Sequence, residues 1–315
     1  MYENSFYQAP AATHPGVQRC GFISIVGRAN VGKSTLLNKL IGQKLSITSR
    51  KPQTTRNQIL GVVTEGDYQA VYLDTPGLQH KKKRLINRLM NRTVHNSLNG
   101  GPSVILFLVE ANLWTEGDDA VLERLRSTKS LVVLCVNKVD SILDKNSVML
   151  YLSNISKKMD FFDIIPISAK YEKNIHIVRK LVQDHLPKAR HHFPEEYVTD
   201  RSRVFRVSEI VREKIMRFTG DELPYSAMVE IEKLDYVPSR NLFQIIAIIL
   251  LDRSSHKKIF IGRRGEKIKT ISREARLDLE VLLDKKVYLK TWVKVRPGWT
   301  NDEKALKSLG YFNDL

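Results

Sequence analysis

Cysteine is nearly absent: Cys20 and Cys135 are the two in 315 residues. Two thiols cannot build a disulfide framework, so a reducing compartment is expected. Burial suits Cys135 better than redox chemistry, because it stands inside an apolar run. Long apolar runs are missing too. The longest uncharged one, Leu242–Leu251, has ten residues with a glutamine inside, about half of the roughly 20 that a membrane-spanning helix needs. The first 20 residues carry no apolar core, which argues against a secretory signal. These absences set aside an integral membrane or secreted protein. They leave a cytoplasmic one, with a peripheral fraction on the inner face of the cell membrane still open. Acidic residues are in deficit: 34 Asp+Glu stand against 51 Lys+Arg, a net charge of +17. That excess points to a polyanionic partner, nucleic acid first and an anionic lipid surface second, with a merely soluble basic protein as the plain alternative. Disorder is excluded, since 42% of residues are hydrophobic and 27% charged.

The length suggests about two domains, and the pattern divides accordingly. Residues 1–18 are polar, without a clear period, and read as a mobile extension. From Gly21 to about Val182, the apolar runs Phe22–Val26, Ala70–Leu73, Val104–Val109, Leu131–Val136 and Ile164–Ile167 read as strands. Helix-like spacing lies between them at Thr35–Leu40, Asp118–Arg126 and Ile175–His185. Runs apolar on both faces and separated by helices predict a buried, mostly parallel, doubly wound sheet. Pro187 and Pro194 then bracket a linker over 187–202. His185, His191 and His192 fall in or beside it without the cysteine or carboxylate partners that a tetrahedral metal site needs. From 203 to 315 the order is helix, strand, strand, helix, helix, strand, which predicts a compact α+β domain.

Gly27-Arg28-Ala29-Asn30-Val31-Gly32-Lys33-Ser34 matches G-x-x-x-x-G-K-[ST] between a predicted strand and a predicted helix opening at Thr35. Such a loop turns its backbone N–H groups onto phosphate oxygens at a helix N-terminus. Lys33 is placed for the β- and γ-phosphates and Ser34 for Mg²⁺. Asp74-Thr75-Pro76-Gly77 ends a second strand. Its carboxylate can take Mg²⁺ directly or through water, and the Gly77 N–H can meet a γ-phosphate. Asn137-Lys138-Val139-Asp140 ends a third. Asp140 can accept from guanine N1–H and its exocyclic amine, donors that adenine lacks, so the pocket would reject adenine. Asn137 suits the purine edge, and the Lys138 stem can cover the ring. Ser168-Ala169-Lys170 follows a fourth strand, where a backbone N–H could meet guanine O6. Each motif is weak singly. Their shared place at carboxyl ends of strands, where open α/β sheets bind ligands, makes a strong set. In the second half, Gly262-Arg263-Arg264-Gly265 matches the GXXG loop of a KH module, which clamps about four nucleotides of single-stranded RNA. Ile261, Lys267, Ile268 and Lys269 flank it, with strand Leu242–Leu251 as the expected floor of the groove.

These motifs resemble the Era family of bacterial GTPases, of the translation-factor class. So do Lys51-Pro-Gln-Thr54-Thr55-Arg56, the segment Ile261–Ile271 with Glu274-Ala-Arg276, and the stretch from Trp292 through Trp299 to Lys307–Tyr311. The resemblance covers roughly residues 20–312, with Ala29 standing where the family usually has proline. It implies an α/β P-loop GTPase domain over 19–186 followed by a KH domain of type II order over 203–315. It also implies GTP, GDP and Mg²⁺ as ligands, with Ser34, Asp74 and Thr55 on the metal and Thr55 engaged only with GTP bound. The partners implied are the 3′ end of 16S ribosomal RNA and the 30S subunit in its late assembly, for a protein acting as a monomer. Many GTPases place a water-orienting glutamine where Leu78 follows Gly77; Leu78 cannot serve, so slow intrinsic hydrolysis is expected. Two substitutes stand open: K⁺ held through Asn30, as related GTPases do, or RNA ordering the switch segments. A different class of function, a membrane-surface switch held by anionic lipid, also uses basic patches, as would action on another RNA.

The positive charge is not mainly on the RNA half. Residues 181–315 carry 26 basic and 20 acidic side chains, net +6, whereas residues 1–180 carry 25 and 14, net +11. Residues 81–92 hold six basic groups and no acid, and residues 252–276 hold nine against three. The first cluster is either a solvated loop or a nucleotide-sensitive contact to RNA.

Overall fold

Strand β4 (Val104–Glu110) shows how the first half folds. Its run V-I-L-F-L-V is buried on both faces, and alternate residues feed different cores. Val104, Leu106 and Leu108 join one cluster; Ile105, Phe107 and Val109 join the other. Period-two alternation makes this unavoidable for a strand covered on both sides. Burying each such side chain stabilises the fold by roughly 1.5–3 kcal/mol. The structure is a computed structural model that describes residues 16–49, 51, 54–56, 58–76, 101–220, 223 and 227–298.

Around β4 stand β1 (Arg19–Val26), β2 (Ile59–Glu65), β3 (Tyr68–Asp74), β5 (Leu131–Asn137) and β6 (Asp163–Pro166), in the order β2-β3-β1-β4-β5-β6. All pairings are parallel except β2 with β3. The antiparallel edge strand β2 was not anticipated, nor was a helix over Lys145–Ile155. Helices α1 (Lys33–Ile41) and α4 (Ile175–His185) cover one face, with Leu36, Leu37, Val178 and Val182 in the first cluster. Helices α2 (Glu116–Leu125) and α3 (Lys145–Ile155) cover the other through Val121, Leu122, Leu125 and Ile155. Cys20 and Cys135 are both buried free thiols, and burial pushes the Cys135 thiol up to about 12.

Residues 187–202 do not hang free. The Cys20 N–H donates to Pro187 O at 3.1 Å, the Val62 N–H to Val198 O at 2.8 Å, and Gln69 bonds the backbone of His192 and Phe193. His192 stacks on Phe22, and His185 lies edge-on to Phe162. No cluster able to hold a metal through His, Cys, Asp and Glu occurs among the described residues, and no helix among them is long and apolar enough to cross a membrane.

The second half runs α5 (Arg203–Phe218), β7 (Ala227–Val237), β8 (Leu242–Leu251), α6 (Ser254–Ile261), α7 (Glu266–Leu283) and β9 (Lys286–Val295). The sheet order is β7-β8-β9, with β7/β8 antiparallel and β8/β9 parallel. One face of this sheet packs on the helices: Val229, Ile245, Ala247 and Ile249 meet Val211, Ile215, Ile271 and Leu279. The type II order expected for a KH domain is the one observed.

Candidate nucleotide cleft and RNA-facing loop

The four nucleotide motifs follow the carboxyl ends of β1, β3, β5 and β6, so the parallel sheet brings them to one edge. Residues 27–32 form the phosphate loop, and α1 begins at Lys33. Gly32 has φ 105°, and a Cβ there would lie 2.2 Å from Asn137 Nδ2; a side chain is excluded twice over, by conformation and by contact. Asn137 explains the closeness. Its Nδ2 donates to Val31 O at 2.7 Å and its Oδ1 accepts from the Ala169 N–H at 2.9 Å. One amide therefore ties the phosphate loop to both base-side motifs. Asp140 accepts from Ser168 Oγ at 2.5 Å, which orients the carboxylate while leaving it exposed. Lys138, with φ 65°, ion-pairs Glu110 at 2.9 Å. Glu110 also holds Arg28 at 3.0 Å, and Arg28 reaches the buried Asp118 at 3.1 Å. Sequence reasoning missed Glu110 and Asp118, because nothing in their own neighbourhoods marks them.

Lys33 donates to Gly27 O at 3.0 Å and Arg28 O at 2.9 Å. Burial lowers its ammonium to about 8, although Asp74 pulls the other way. The Asp74 carboxylate is wholly buried. Desolvation raises its pKa above the ordinary carboxylate value, opposed by Lys33 and three hydroxyls. Those hydroxyls are Ser34 Oγ at 2.8 Å, Ser46 Oγ at 3.0 Å and Thr55 Oγ1 at 3.5 Å, all on Oδ2. Ser34 Oγ and Thr55 Oγ1 are 2.6 Å apart. Asp74 Oδ1 is buried with no hydrogen-bond partner among the described residues. An unpartnered buried carboxylate oxygen beside two clustered hydroxyls fits a small hard cation such as Mg²⁺, which takes oxygen ligands. Thr75 Oγ1 donates to Ile25 O at 2.9 Å, which pins the Asp74–Gly77 motif to β1. Gly77, Leu78 and the basic run 81–92 lie outside the described residues, as do Pro52, Gln53, Trp299 and 307–311.

A cavity of about 1160 Å³ opens between these groups. Its lining includes Ala29, Asn30, Thr35, Thr54, Ser141 and Lys170 from the first half, and Met216 and Arg217 from α5. Nothing local in the sequence marks the α5 residues as cavity walls; their approach is purely tertiary. Val31 and Gly27 do not line it: Val31 is core, and Gly27 serves through the carbonyl held by Lys33.

At the other end, Gly262 and Gly265 have φ 78° and 77°, with Arg264 at 50° between them. A Cβ on Gly262 would meet Lys267 Cβ at 2.9 Å. Arg263, Arg264 and Lys269 are exposed, while Ile261 and Ile268 are half-buried. Ile268 packs partly into the core, and Phe260 anchors α6 within it. The strand expected as the floor of the groove, Leu242–Leu251, is β8. Strand β8 is central, with both edges hydrogen-bonded, and residues 247–251 are buried. Strands β7 and β9 are the two edges; β9, the one packed beside α6 and α7, exposes Tyr288, Lys290 and Trp292, with the Lys290 ammonium 4.7 Å from the Trp292 ring centroid.

Comparison with known proteins agrees with this geometry. Residues 22–138 match the family described as 50S ribosome-binding GTPase, and residues 222–300 match the KH domain family. GTPase Era of Vibrio parahaemolyticus is 63% identical over 301 residues, which cover 96% of this chain and 94% of that protein. GTPase Era of Actinobacillus pleuropneumoniae is 56% identical over 295 residues, covering 94% and 96%. Among solved structures, a variant of Aquifex aeolicus Era bound to GDP and AlF4⁻ superposes with TM-score 0.88 at 35% identity, covering 94% of this chain and all of that one. An Era in complex with MgGDPNP and nucleotides 1506–1542 of 16S ribosomal RNA gives 0.89 at 36% identity, with the same coverage.

Proposed function

The chain belongs to the Era family of GTPases, and from that premise we propose that it is a GTP-driven switch which clamps the 3′ end of 16S ribosomal RNA during late assembly of the 30S subunit. The observation that carries this reading is one chain joining two sites. A cleft converges Lys33, Ser34, Thr55, Asp74 and Asp140, and a GXXG loop displays Arg263 and Arg264. The Era complex with nucleotides of that RNA supports the choice of RNA.

In this reading the phosphate-loop N–H groups and the Lys33 ammonium bind the β- and γ-phosphates. Ser34 Oγ, Thr55 Oγ1 and the Asp74 carboxylate hold Mg²⁺, which when bound supplies neutralising charge to the phosphates. Asp140 selects guanine, because adenine lacks the N1–H and exocyclic amine from which its carboxylate would accept. Lys138, fixed by Glu110, covers the base. Leu78 offers no hydrogen bond to the attacking water, so the intrinsic reaction is slow and serves as a timer. Loss of the γ-phosphate releases Thr55 and with it the loop around it. On the RNA side, the glycines admit the backbone, the arginines meet phosphates, and Tyr288 and Trp292 offer faces for stacking.

The test is to crosslink the GTP-bound full-length protein to cellular RNA and sequence the sites. Enrichment at the small-subunit 3′ end is expected. Enrichment spread over messenger or transfer RNA, with none at that end, overturns the assignment.

A further inference from the structure

Helix α5 belongs to the RNA-binding half, yet it carries three consecutive charged residues that are buried: Arg212, Glu213 and Lys214. Two of them face the loop that delivers Thr55. Glu213, with no exposed surface, accepts from the Thr48 N–H at 3.2 Å, Thr48 Oγ1 at 3.3 Å, Lys44 Nζ at 2.5 Å and Arg217 Nη2 at 2.8 Å. Arg212 Nη2 donates to Thr54 O at 2.6 Å, one residue before the metal-side threonine. Lys51 reaches Thr219 O and, at 3.0 Å, Gly220 O just past the end of α5. Lys44 also bridges to Asp278 of α7, which in turn holds Lys214.

From the inside the same loop is held by hydroxyls, amides and the buried side chains of Leu45 and Ile47. Asn38 bonds the Leu45 and Ser46 backbone, and Ser46 and Thr55 lean on Asp74. Thr55 therefore sits between two domains. Its side chain faces the Ser34–Asp74 cluster; its backbone is fastened to α5 on the N-terminal side, through Arg212 on Thr54 O, and on the other side Arg56 Nη1 donates to Ala227 O of β7 at 3.2 Å. A buried carboxylate with four donors has a fixed position, because leaving any of them would strand charge out of water.

We propose that Glu213 is a positioning residue for GTP hydrolysis: the RNA-binding domain, through this carboxylate, holds the 44–55 loop so that Thr55 Oγ1 stays beside Ser34 Oγ. The proposal rests on the reading of Thr55 as a metal ligand engaged only with GTP. It follows that part of the discrimination between GTP and GDP is built by a residue outside the nucleotide-binding half. Glu213 touches neither nucleotide nor metal; it acts through Thr48 and Lys44.

The experiment measures affinities of the full-length protein for a non-hydrolysable GTP analogue and for GDP, each across a Mg²⁺ titration. Glu213→Gln keeps shape and loses the charge that holds Lys44 and Arg217. It should weaken the GTP analogue on the order of tenfold, the worth of one charge-assisted hydrogen bond. It should also raise the Mg²⁺ needed and lower kcat, with GDP affinity within about twofold of the parent. A general structural loss would weaken both nucleotides alike, and that outcome, or no change in either, overturns the proposal. Thr55→Ala runs alongside. If it abolishes the Mg²⁺-dependent preference while Glu213→Gln leaves it intact, the metal reading stands and the role of Glu213 falls. If Thr55→Ala itself leaves the preference intact, the metal reading fails and takes the proposal with it. Should Glu213→Gln lose its thermal unfolding transition, Lys44→Ala, which removes one donor from the solvent side, carries the test with the same expected direction and the same refuting outcomes.

Discussion

The nucleotide cleft and the GXXG loop are built on opposite plans. The cleft is assembled from residues far apart in the chain, several of them buried, and its parts are bonded to one another: Asn137 to Val31 and Ala169, Lys33 to Gly27, Ser34 to Asp74. The RNA loop is local. Gly262 to Lys269 are consecutive, and the arginines point into solvent with no ion pair recorded among the described residues. A preorganised buried site spends its binding energy on one ligand and rejects isosteres sharply. An exposed, locally built loop grips backbone phosphate in a graded, salt-dependent way. The first suits a switch that must tell GTP from GDP; the second suits a clamp that must let go.

The contrast can be broken most forcefully at Asp140. Asp140→Asn should invert the preference of the cleft from GTP towards xanthosine triphosphate, with a change in the affinity ratio on the order of 10⁴. Competition binding measures it, and an unchanged ratio refutes the guanine pocket. The next effect is a pH dependence. Burial depresses Lys33 to about 8 from 10.5. Between those values the unfolded chain keeps a proton that the empty folded site has lost, so the empty protein becomes more stable as pH rises through that window. Binding phosphate must then recover the proton, and nucleotide affinity should fall towards tenfold per unit above about pH 8. Fluorescent-nucleotide titrations check this against Lys33→Met, which should show a flatter slope; equal slopes would exclude Lys33 as the cause. The smallest effect belongs to the loop. Arg263→Ala or Arg264→Ala should each reduce the salt slope of single-stranded RNA binding by about 0.7 and weaken affinity only severalfold, with nucleotide affinity untouched. A collapse of both activities would show the loop to be less separable from the fold than its exposure indicates.

Legibility followed the same division. The strands with apolar runs on both faces, such as Val104–Val109, and the helices Ile175–His185 and Glu266–Leu283 could be read because period and burial agree. Strand β2 and helix α3 escaped. Residues 59–65 are an edge strand in which Ile59 and Val62 are buried but Leu60 and Val63 are half-buried, and α3 leaves Met149 and Leu150 facing solvent, so neither shows a clean period. The phosphate, metal and base motifs were legible because each is a short run with its chemistry inside it. Glu110, Asp118 and Ser46 were not, since a carboxylate or hydroxyl that only orients another residue carries no pattern of its own. The place of the strand Leu242–Leu251 in its sheet was not legible for a related reason: apolar content identifies a buried strand, but not whether it is central, as β8 is, or at an edge, as β7 and β9 are.

Local chemistry, then, was legible in the chain itself: a loop able to take phosphate, a carboxylate able to read guanine, glycines able to admit an RNA backbone. These depend on residue type and short spacing, and steric limits on the backbone act at that range. What only the tertiary structure decided is the company each group keeps. No rule of spacing places Glu213 against Thr48, 165 residues away, or leaves Asp74 Oδ1 without a partner beside two hydroxyls. Those positions follow from how two hydrophobic cores close on one another. There desolvation makes a charge on the buried face of an amphipathic helix stable only where donors meet it, here from Lys44 and Thr48 of the other half as well as from Arg217.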